Sequence, residues 1–279
     1  MGDMEGRGSL PGCPKGILPP DKAGLRRNFR RRAATYELYA QVQRAMAGEL
    51  LRLAETQVMG ATSLLEVGCG TGTLTRELRR LNPRAWLVAV DLDPEILRRA
   101  RATLAGDEGI AWLAMDAEHL CRGDFDLIIA NSVFQWFSRP EATLARYHYM
   151  LRPGGLLAFS AMGPATFREL GQAWRQVVPD PETGTPVPVA ARFPGGSEWV
   201  AMLGQAGFQE VRLIRELKAV SYPSVLEFLK AIQGTGAVSP RPRTLTPRRL
   251  RRLLTVYQEL FGNGVVPATY ELLYLTARK

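Results

Sequence analysis

The chain holds 279 residues, of which 46% are hydrophobic and 23% charged. That balance supports a buried core, excludes a wholly disordered chain and fits one enlarged domain. The net charge of +9 attracts polyanions, whether nucleic acid, anionic lipid or an acidic protein, while no apolar run reaches the roughly 18–20 residues of a membrane span. Cys13, Cys69 and Cys121 form no C-x-x-C pair, which suits a reducing cytosol and predicts a cytoplasmic protein without a disulfide framework. Only His119 and His148 are present, so no His-rich metal site is expected and a Ser-His-Asp triad has few candidates for its base.

Residues 1–20 are rich in Gly and Pro and read as a flexible leader, with the domain proper expected over 21–279. Leu25 to Leu53 is basic and amphipathic, opening with Arg26, Arg27, Arg30, Arg31 and Arg32 and carrying Leu38, Val42, Met46, Leu50 and Leu53 near helical spacing. It predicts an N-terminal helical lid over 21–60. Strand then alternates with helix over a core at 61–162. Leu64 to Val67 is a short buried strand ending at Gly68, and Thr73 to Leu81 a helix. Trp86 to Val90 is a strand ending at Asp91, and Pro94 opens a helix running to Leu104. Strands follow at Ile110–Met115, Phe125–Ala130 and Leu156–Ser160, with a helix at Glu141–Met150 before the last. Short, continuously apolar strands alternating with helices predict an α/β fold, a doubly wound, mostly parallel, Rossmann-like sheet. Beyond it come helices at Ala165–Val177 and Ser197–Ala206, a long strand at Glu210–Tyr222, helices at Pro223–Ile232 and Pro247–Phe261, and a final strand at Thr269–Ala277. The two late helices read as a lid inserted over 222–264.

The most informative segment is Leu65-Glu66-Val67-Gly68-Cys69-Gly70-Thr71-Gly72, between a strand and a helix. Glycine there admits backbone angles and close approaches that a side chain forbids. The dinucleotide fingerprint is G-x-G-x-x-G/A; here the glycines fall at Gly68, Gly70 and Gly72, as G-x-G-x-G. Asp91 ends the second strand, where an acid grips two ribose hydroxyls. Asp116, at the end of the third, is placed for an adenine amino group, and Glu66 for an ammonium group. Adenine, an intact ribose and a cationic tail without a pyrophosphate describe S-adenosylmethionine. With these motifs in register over Leu64 to Phe159, the chain resembles the class I S-adenosylmethionine-dependent methyltransferases. That resemblance implies a seven-stranded sheet and a cofactor site that adds Leu92, Ala117, Asn131, Phe29 and Tyr36.

After the fourth strand comes Asn131-Ser132-Val133-Phe134-Gln135-Trp136-Phe137. At the carboxyl end of a strand this loop faces the ligand, and its aromatic rings exclude water. No Asp-Pro-Pro-Tyr type signature of amino-group methylation is present, and no histidine stands out as a base. A carboxylate nucleophile needs none, being ionised near neutral pH, so catalysis rests on alignment.

Four passages extend the likeness beyond the core: Asn28-Phe29-Arg30-Arg31-Arg32-Ala33-Ala34-Thr35-Tyr36; Asn131 to Trp136; Phe228-Leu229-Lys230-Ala231-Ile232 with Gly234, Gly236 and Ala237; and Leu245-Thr246 with the basic helix after it and Pro267 to Leu272. In these the chain is similar to the malonyl-acyl-carrier-protein O-methyltransferases of biotin synthesis. The resemblance implies methyl transfer to the free carboxyl of a malonyl thioester, the first step toward a pimeloyl chain, with an acidic acyl carrier protein or a coenzyme A thioester as partner. For that carboxylate it points to Tyr36, Gln135 and Trp136 as catalytic residues and to Lys230 and Tyr270 as substrate-binding. Arg248, Arg252 and the arginines from Arg26 to Arg32 are expected to steer the carrier. Rival readings are a methyltransferase of a quinone precursor or small polycarboxylate, an RNA methyltransferase, for which no added recognition module is present, and a non-catalytic nucleotide-binding module.

Overall fold

In a computed structural model, residues 22–32, 40–177, 190, 193–235 and 246–279 are described. The helices are α1 (Lys22–Arg32), α2 (Gln41–Gly60), α3 (Thr73–Leu81), α4 (Pro94–Thr103), α5 (Pro140–Met150), α6 (Arg168–Val177), α7 (Gly196–Gln205), α8 (Val225–Gly234) and α9 (Pro247–Phe261). The strands are β1 (Ser63–Val67), β2 (Trp86–Asp91), β3 (Ile110–Ala114), β4 (Phe125–Asn131), β5 (Leu151–Met162), β6 (Gln209–Tyr222) and β7 (Val266–Arg278). They form one seven-stranded sheet in the order β3-β2-β1-β4-β5-β7-β6. β1 to β5 run parallel, whereas β7 is antiparallel to both β5 and β6.

The sheet has two buried faces because successive strand residues point opposite ways. Leu64, Leu87, Ala89, Leu127, Ile129 and Ala158 pack on one face with α2 and α3. Leu65, Val67, Val90, Ile128, Ala130 and Phe159 pack on the other with Leu144 of α5 and Trp199 of α7. With both faces covered, each core strand is apolar throughout. The order reverses between β1 and β4, so the turns leaving their carboxyl ends splay apart and open a crevice.

Several boundaries differ from expectation. Among the described residues, the stretch read as one amphipathic lid holds two helices with different surroundings. α2 buries Val42, Met46, Leu50, Ala54 and Val58 in the core, while α1 carries the basic run and buries only Gly24 and Leu25. Residues 33–39, which include Tyr36, lie outside the described residues. β5 begins at Leu151, where Phe125 pairs with it across an irregularity in the register. α6 starts at Arg168 because Phe167 takes a φ of 60° and donates its N–H to the Thr269 carbonyl at 2.6 Å. α8 and α9 bury Phe228, Ile232, Leu253, Val256 and Tyr257 against the sheet, and none of their described residues reaches the crevice.

Candidate functional site

A cavity of about 1010 Å³, open mouth included, lies over the carboxyl ends of β1, β2 and β4 beneath α1. Gly68, Gly70, Asp91, Leu92, Asp116, Ala117, Asn131, Trp136 and Phe29 line it, so nine of the expected site positions, drawn from across the chain, come together at one place.

The glycine turn forms the floor. Gly68 has a φ of 70°, and a β-carbon there would stand 2.3 Å from Val133 Cγ2, so the turn and the loop after β4 touch only because this side chain is absent. Gly70, with φ 55°, has open space where a side chain would stand, a cradle that a ligand is free to fill. Gly72 (φ 87°) lies behind the wall, where it caps α3 and meets Ala100 of α4. Glu66 also stands behind the wall. It is 1% exposed, and its Oε2 has no hydrogen-bond partner among the described residues. Burial pushes its carboxyl up to about 8, with Thr75 opposing the rise and the Asp91 charge adding to it.

Asp91 is oriented by backbone: its Oδ2 accepts from Gly70 N–H at 2.9 Å and its Oδ1 from Asp93 N–H at 2.9 Å. A carboxylate has about four lone-pair positions, so both oxygens keep acceptor capacity toward the cavity. Burial raises the Asp91 carboxyl, and those N–H groups counter it. Asp116 accepts from Glu118 N–H at 3.0 Å, capping the short turn Ala117–His119, and receives Lys22 Nζ at 2.6 and 2.9 Å. Lys22 also binds Glu118, itself anchored by the N–H groups of Ser138 and Arg139 at 2.9 and 2.7 Å.

The other end of α1 is held equally firmly. Asp93 is 1% exposed and caps α4 by accepting from Glu95 N–H at 2.8 Å, and it receives Arg30 Nε at 2.9 Å with Arg26 4.0 Å away. Arg30, expected to steer a partner, is thus paired with a buried acid of the sheet side, its own side chain 45% exposed. Phe29 adds an apolar contact, meeting Trp136 edge to face at 6.3 Å, and Trp136 meets Phe193 in the same way at 5.1 Å. Lys22, Glu118 and the Asp93 pairing were missed from sequence. The Asp93-Pro94-Glu95 capping pattern was readable; the arginine's destination was not.

The wall after β4 is a polar buttress. Asn131 donates to the Gln43 carbonyl of α2 at 3.0 Å and accepts from Ser160 Oγ at 2.6 Å. Ser132 takes a φ of 58°, held by its N–H to the Ser160 carbonyl at 3.0 Å and by Gln135 Nε2, which donates to its carbonyl at 3.0 Å and its Oγ at 3.1 Å. Gln135 is itself buried and does not line the cavity; its described contacts support the turn.

The remaining expected positions lie elsewhere. Tyr270 is buried, with its hydroxyl 2.9 Å from that of Tyr222 and its ring against Phe167. Lys230 lies on α8 with Nζ 2.7 Å from Glu227. Neither lines the cavity: packing of α8 and β7 on the sheet places them away from it. Arg248, Arg249, Arg251 and Arg252 are all exposed on α9. Among the described residues no cluster has the makings of a metal site, and no helix is long and apolar enough to cross a membrane. No histidine lines the cavity: His119 is exposed, and His148 lies beside Gly207 and Phe208.

The residues present fit S-adenosylmethionine: a bare cradle at Gly70, two acids on one side and an unpartnered buried carboxyl oxygen on Glu66 behind the turn. A family model described as a methyltransferase domain matches residues 65–157. Among solved structures, the N-methyltransferase NodS of Bradyrhizobium japonicum, in complex with S-adenosyl-L-homocysteine, has a TM-score of 0.53 at 18% identity, covering 92% of this chain and 98% of that one; it shares the fold. A malonyl-acyl-carrier-protein O-methyltransferase of Anoxybacillus flavithermus is 32% identical, covering 91% of this chain and 96% of the relative. The biotin biosynthesis bifunctional protein BioCD of Bordetella avium is 34% identical over 93% of this chain and 53% of its own length. Likeness over 91% of the chain reaches well past the residues 65–157 that the methyltransferase-domain model matches, and the chain accordingly belongs to the malonyl-acyl-carrier-protein O-methyltransferase family of S-adenosylmethionine-dependent methyltransferases.

Proposed function

We propose that this chain methylates the free carboxyl of a malonyl thioester, giving the methyl ester that opens pimeloyl synthesis for biotin. The observation that carries the reading is the 32% identity to such an enzyme over 91% of the chain. The cavity is in keeping with it, since none of its described lining residues is a histidine and a carboxylate, already ionised near neutral pH, has no proton to surrender.

S-adenosylmethionine, when bound, supplies the electrophilic methyl group. Asp91 would take its ribose hydroxyls, Asp116 with Ala117 its adenine, and Glu66 its ammonium group, with Gly68 and Gly70 clearing the floor and Leu92 and Phe29 flanking. Asn131 and Ser132, braced by Ser160 and Gln135, hold the wall by the reacting centre. Trp136, pinned between Phe29 and Phe193, excludes water and strengthens every charge interaction inside. Tyr36 and Trp136 are proposed to receive the substrate carboxylate; Trp136 lines the cavity, and Lys230 and Tyr270 do not. Catalysis then comes from alignment. The partner proposed is an acidic acyl carrier protein, or coenzyme A carrying the same malonyl group.

Incubating the protein with methyl-labelled S-adenosylmethionine and, in parallel, malonyl carrier protein, malonyl-coenzyme A, a quinone precursor and RNA tests this reading. Label is expected in a base-labile methyl ester on a malonyl thioester; label on RNA or the quinone precursor alone overturns it.

A further inference from the structure

β6 is an edge strand of the sheet, antiparallel to β7 on one side. From Arg212 to Leu217 every residue is exposed. Leu213, Ile214 and Leu217 are 37, 42 and 45% exposed, an unusual load of apolar surface for a strand whose outer backbone groups are open to pairing. Arg212 and Glu216 flank Ile214 two positions to either side. The β7 pairing runs unbroken through them (Arg212 opposite Thr276, Ile214 opposite Tyr274, Glu216 opposite Leu272), so all three share one face. Neither Arg212 nor Glu216 makes an ion pair among the described residues, and four positions along a strand put them too far apart to meet each other.

We infer that this edge binds a second copy of the chain, with the two β6 strands pairing antiparallel about a two-fold axis through Ile214 and joining the two sheets into one. The reason is the order of the side chains. A two-fold axis perpendicular to a sheet keeps each side chain on its own face, so only a residue can sit on the axis. With Ile214 there, Arg212 of each copy lies opposite Glu216 of the other, twice over. Ile214 meets its own counterpart, and Leu213 lies under the methylene stem of Arg215 from the other copy. Lys218 approaches the bulge that carries Glu210. An axis at Leu213 sets Glu210 against Glu216, one at Arg215 or Glu216 sets like charges together, and one at Leu217 matches Glu216 to Lys218 but leaves Arg212 opposite Tyr222. An axis at Val211 also sets Arg212 against an acid, Glu210, but it falls in the bulge where the register shifts and Glu210 takes a φ of 47°; along the regular strand only the Ile214 register gives Arg212 an acid.

Sedimentation velocity over a concentration series tests this on the full chain. The unaltered protein is expected to be a dimer. Arg212→Glu and Glu216→Arg each place like charges opposite twice, and each is expected to weaken dimerisation about tenfold or more. The double variant, which exchanges the two signs, is expected to recover the dimer. Unchanged thermal unfolding of each variant separates lost pairing from lost folding. A monomer at every concentration, or single reversals without effect, overturns the proposal. Recovery of the Glu216→Arg variant by Lys218→Glu instead of Arg212→Glu overturns this register in favour of the axis at Leu217.

Discussion

Glu66 is the residue whose environment says most about the ligand. An acid raised from 4.5 to about 8 holds a proton in the folded protein that the unfolded chain has lost. Glu66 therefore makes the fold less stable as pH rises from 4.5 to about 8, and adds no further change above that. An ammonium group brought near it favours the ionised form. Binding of S-adenosylmethionine is then expected to release a proton below pH 8 and to tighten as pH rises toward that value, bounded by the ligand's own amino group near 7.7–8.0. Calorimetric titration at pH 7 in two buffers of different ionisation enthalpy measures that proton. Glu66→Gln should abolish the release and weaken binding; equal release by both proteins removes Glu66 from the site. The glycines make a second residue-scale contrast. Alanine at Gly70 incurs the left-handed backbone penalty alone, about 1 kcal/mol, and places a methyl group in the cavity. At Gly68 the same penalty adds to the collision with Val133, for about 3 kcal/mol. Denaturant unfolding should rank the two, and both should lose affinity for the cofactor.

Among the elements, α1 is the one that makes the cavity a cavity. Its mean composition is strongly polar and it buries little, so it has almost no hydrophobic reason to dock. It is held by charge, through Lys22 to Asp116 and Glu118 at one end and Arg30 to Asp93 at the other. Exposed ion pairs are screened by salt. Arg30→Ala is therefore expected to raise amide exchange in 22–32 several-fold while exchange in β1 and β4 stays unchanged, and added salt should produce the same pattern in the unaltered protein. Unaltered protection of α1 in the variant contradicts the clamp. Lys22 gives the clamp a further consequence, since its ammonium sits on the acid proposed to take the adenine amino group. Cofactor and α1 thus draw on one carboxylate.

On the scale of the whole molecule, the basic residues divide by destination. Arg30 is engaged by Asp93, and the arginines Arg248, Arg249, Arg251 and Arg252 stand exposed on α9. Charge complementarity acts on encounter more than on chemistry. Reversing Arg248 and Arg252 together is expected to cut kcat/KM with carrier-bound malonyl about tenfold at low salt and to spare malonyl-coenzyme A; equal losses with both substrates contradict docking through α9. The strand segments, the glycine turn with its flanking acids and the capped helix at Pro94 were legible in the amino-acid order because each depends on neighbours within a few residues. Short unbroken apolar runs, positive φ at glycine and side-chain capping are local physics, and Gly68, Gly70, Asp91 and Asp116 follow from them. The different surroundings of α1 and α2, the pairing of Arg30 with Asp93, Lys22 on Asp116 and the placing of Gln135, Lys230 and Tyr270 outside the cavity lining were decided only by the tertiary structure. Lys22 and Asp116 are 94 residues apart, and Arg30 and Asp93 are 63 apart. Which charge meets which over such a span depends on how helices seat on the sheet, and that is set by the fit of whole apolar faces rather than by any pattern in a short stretch of chain.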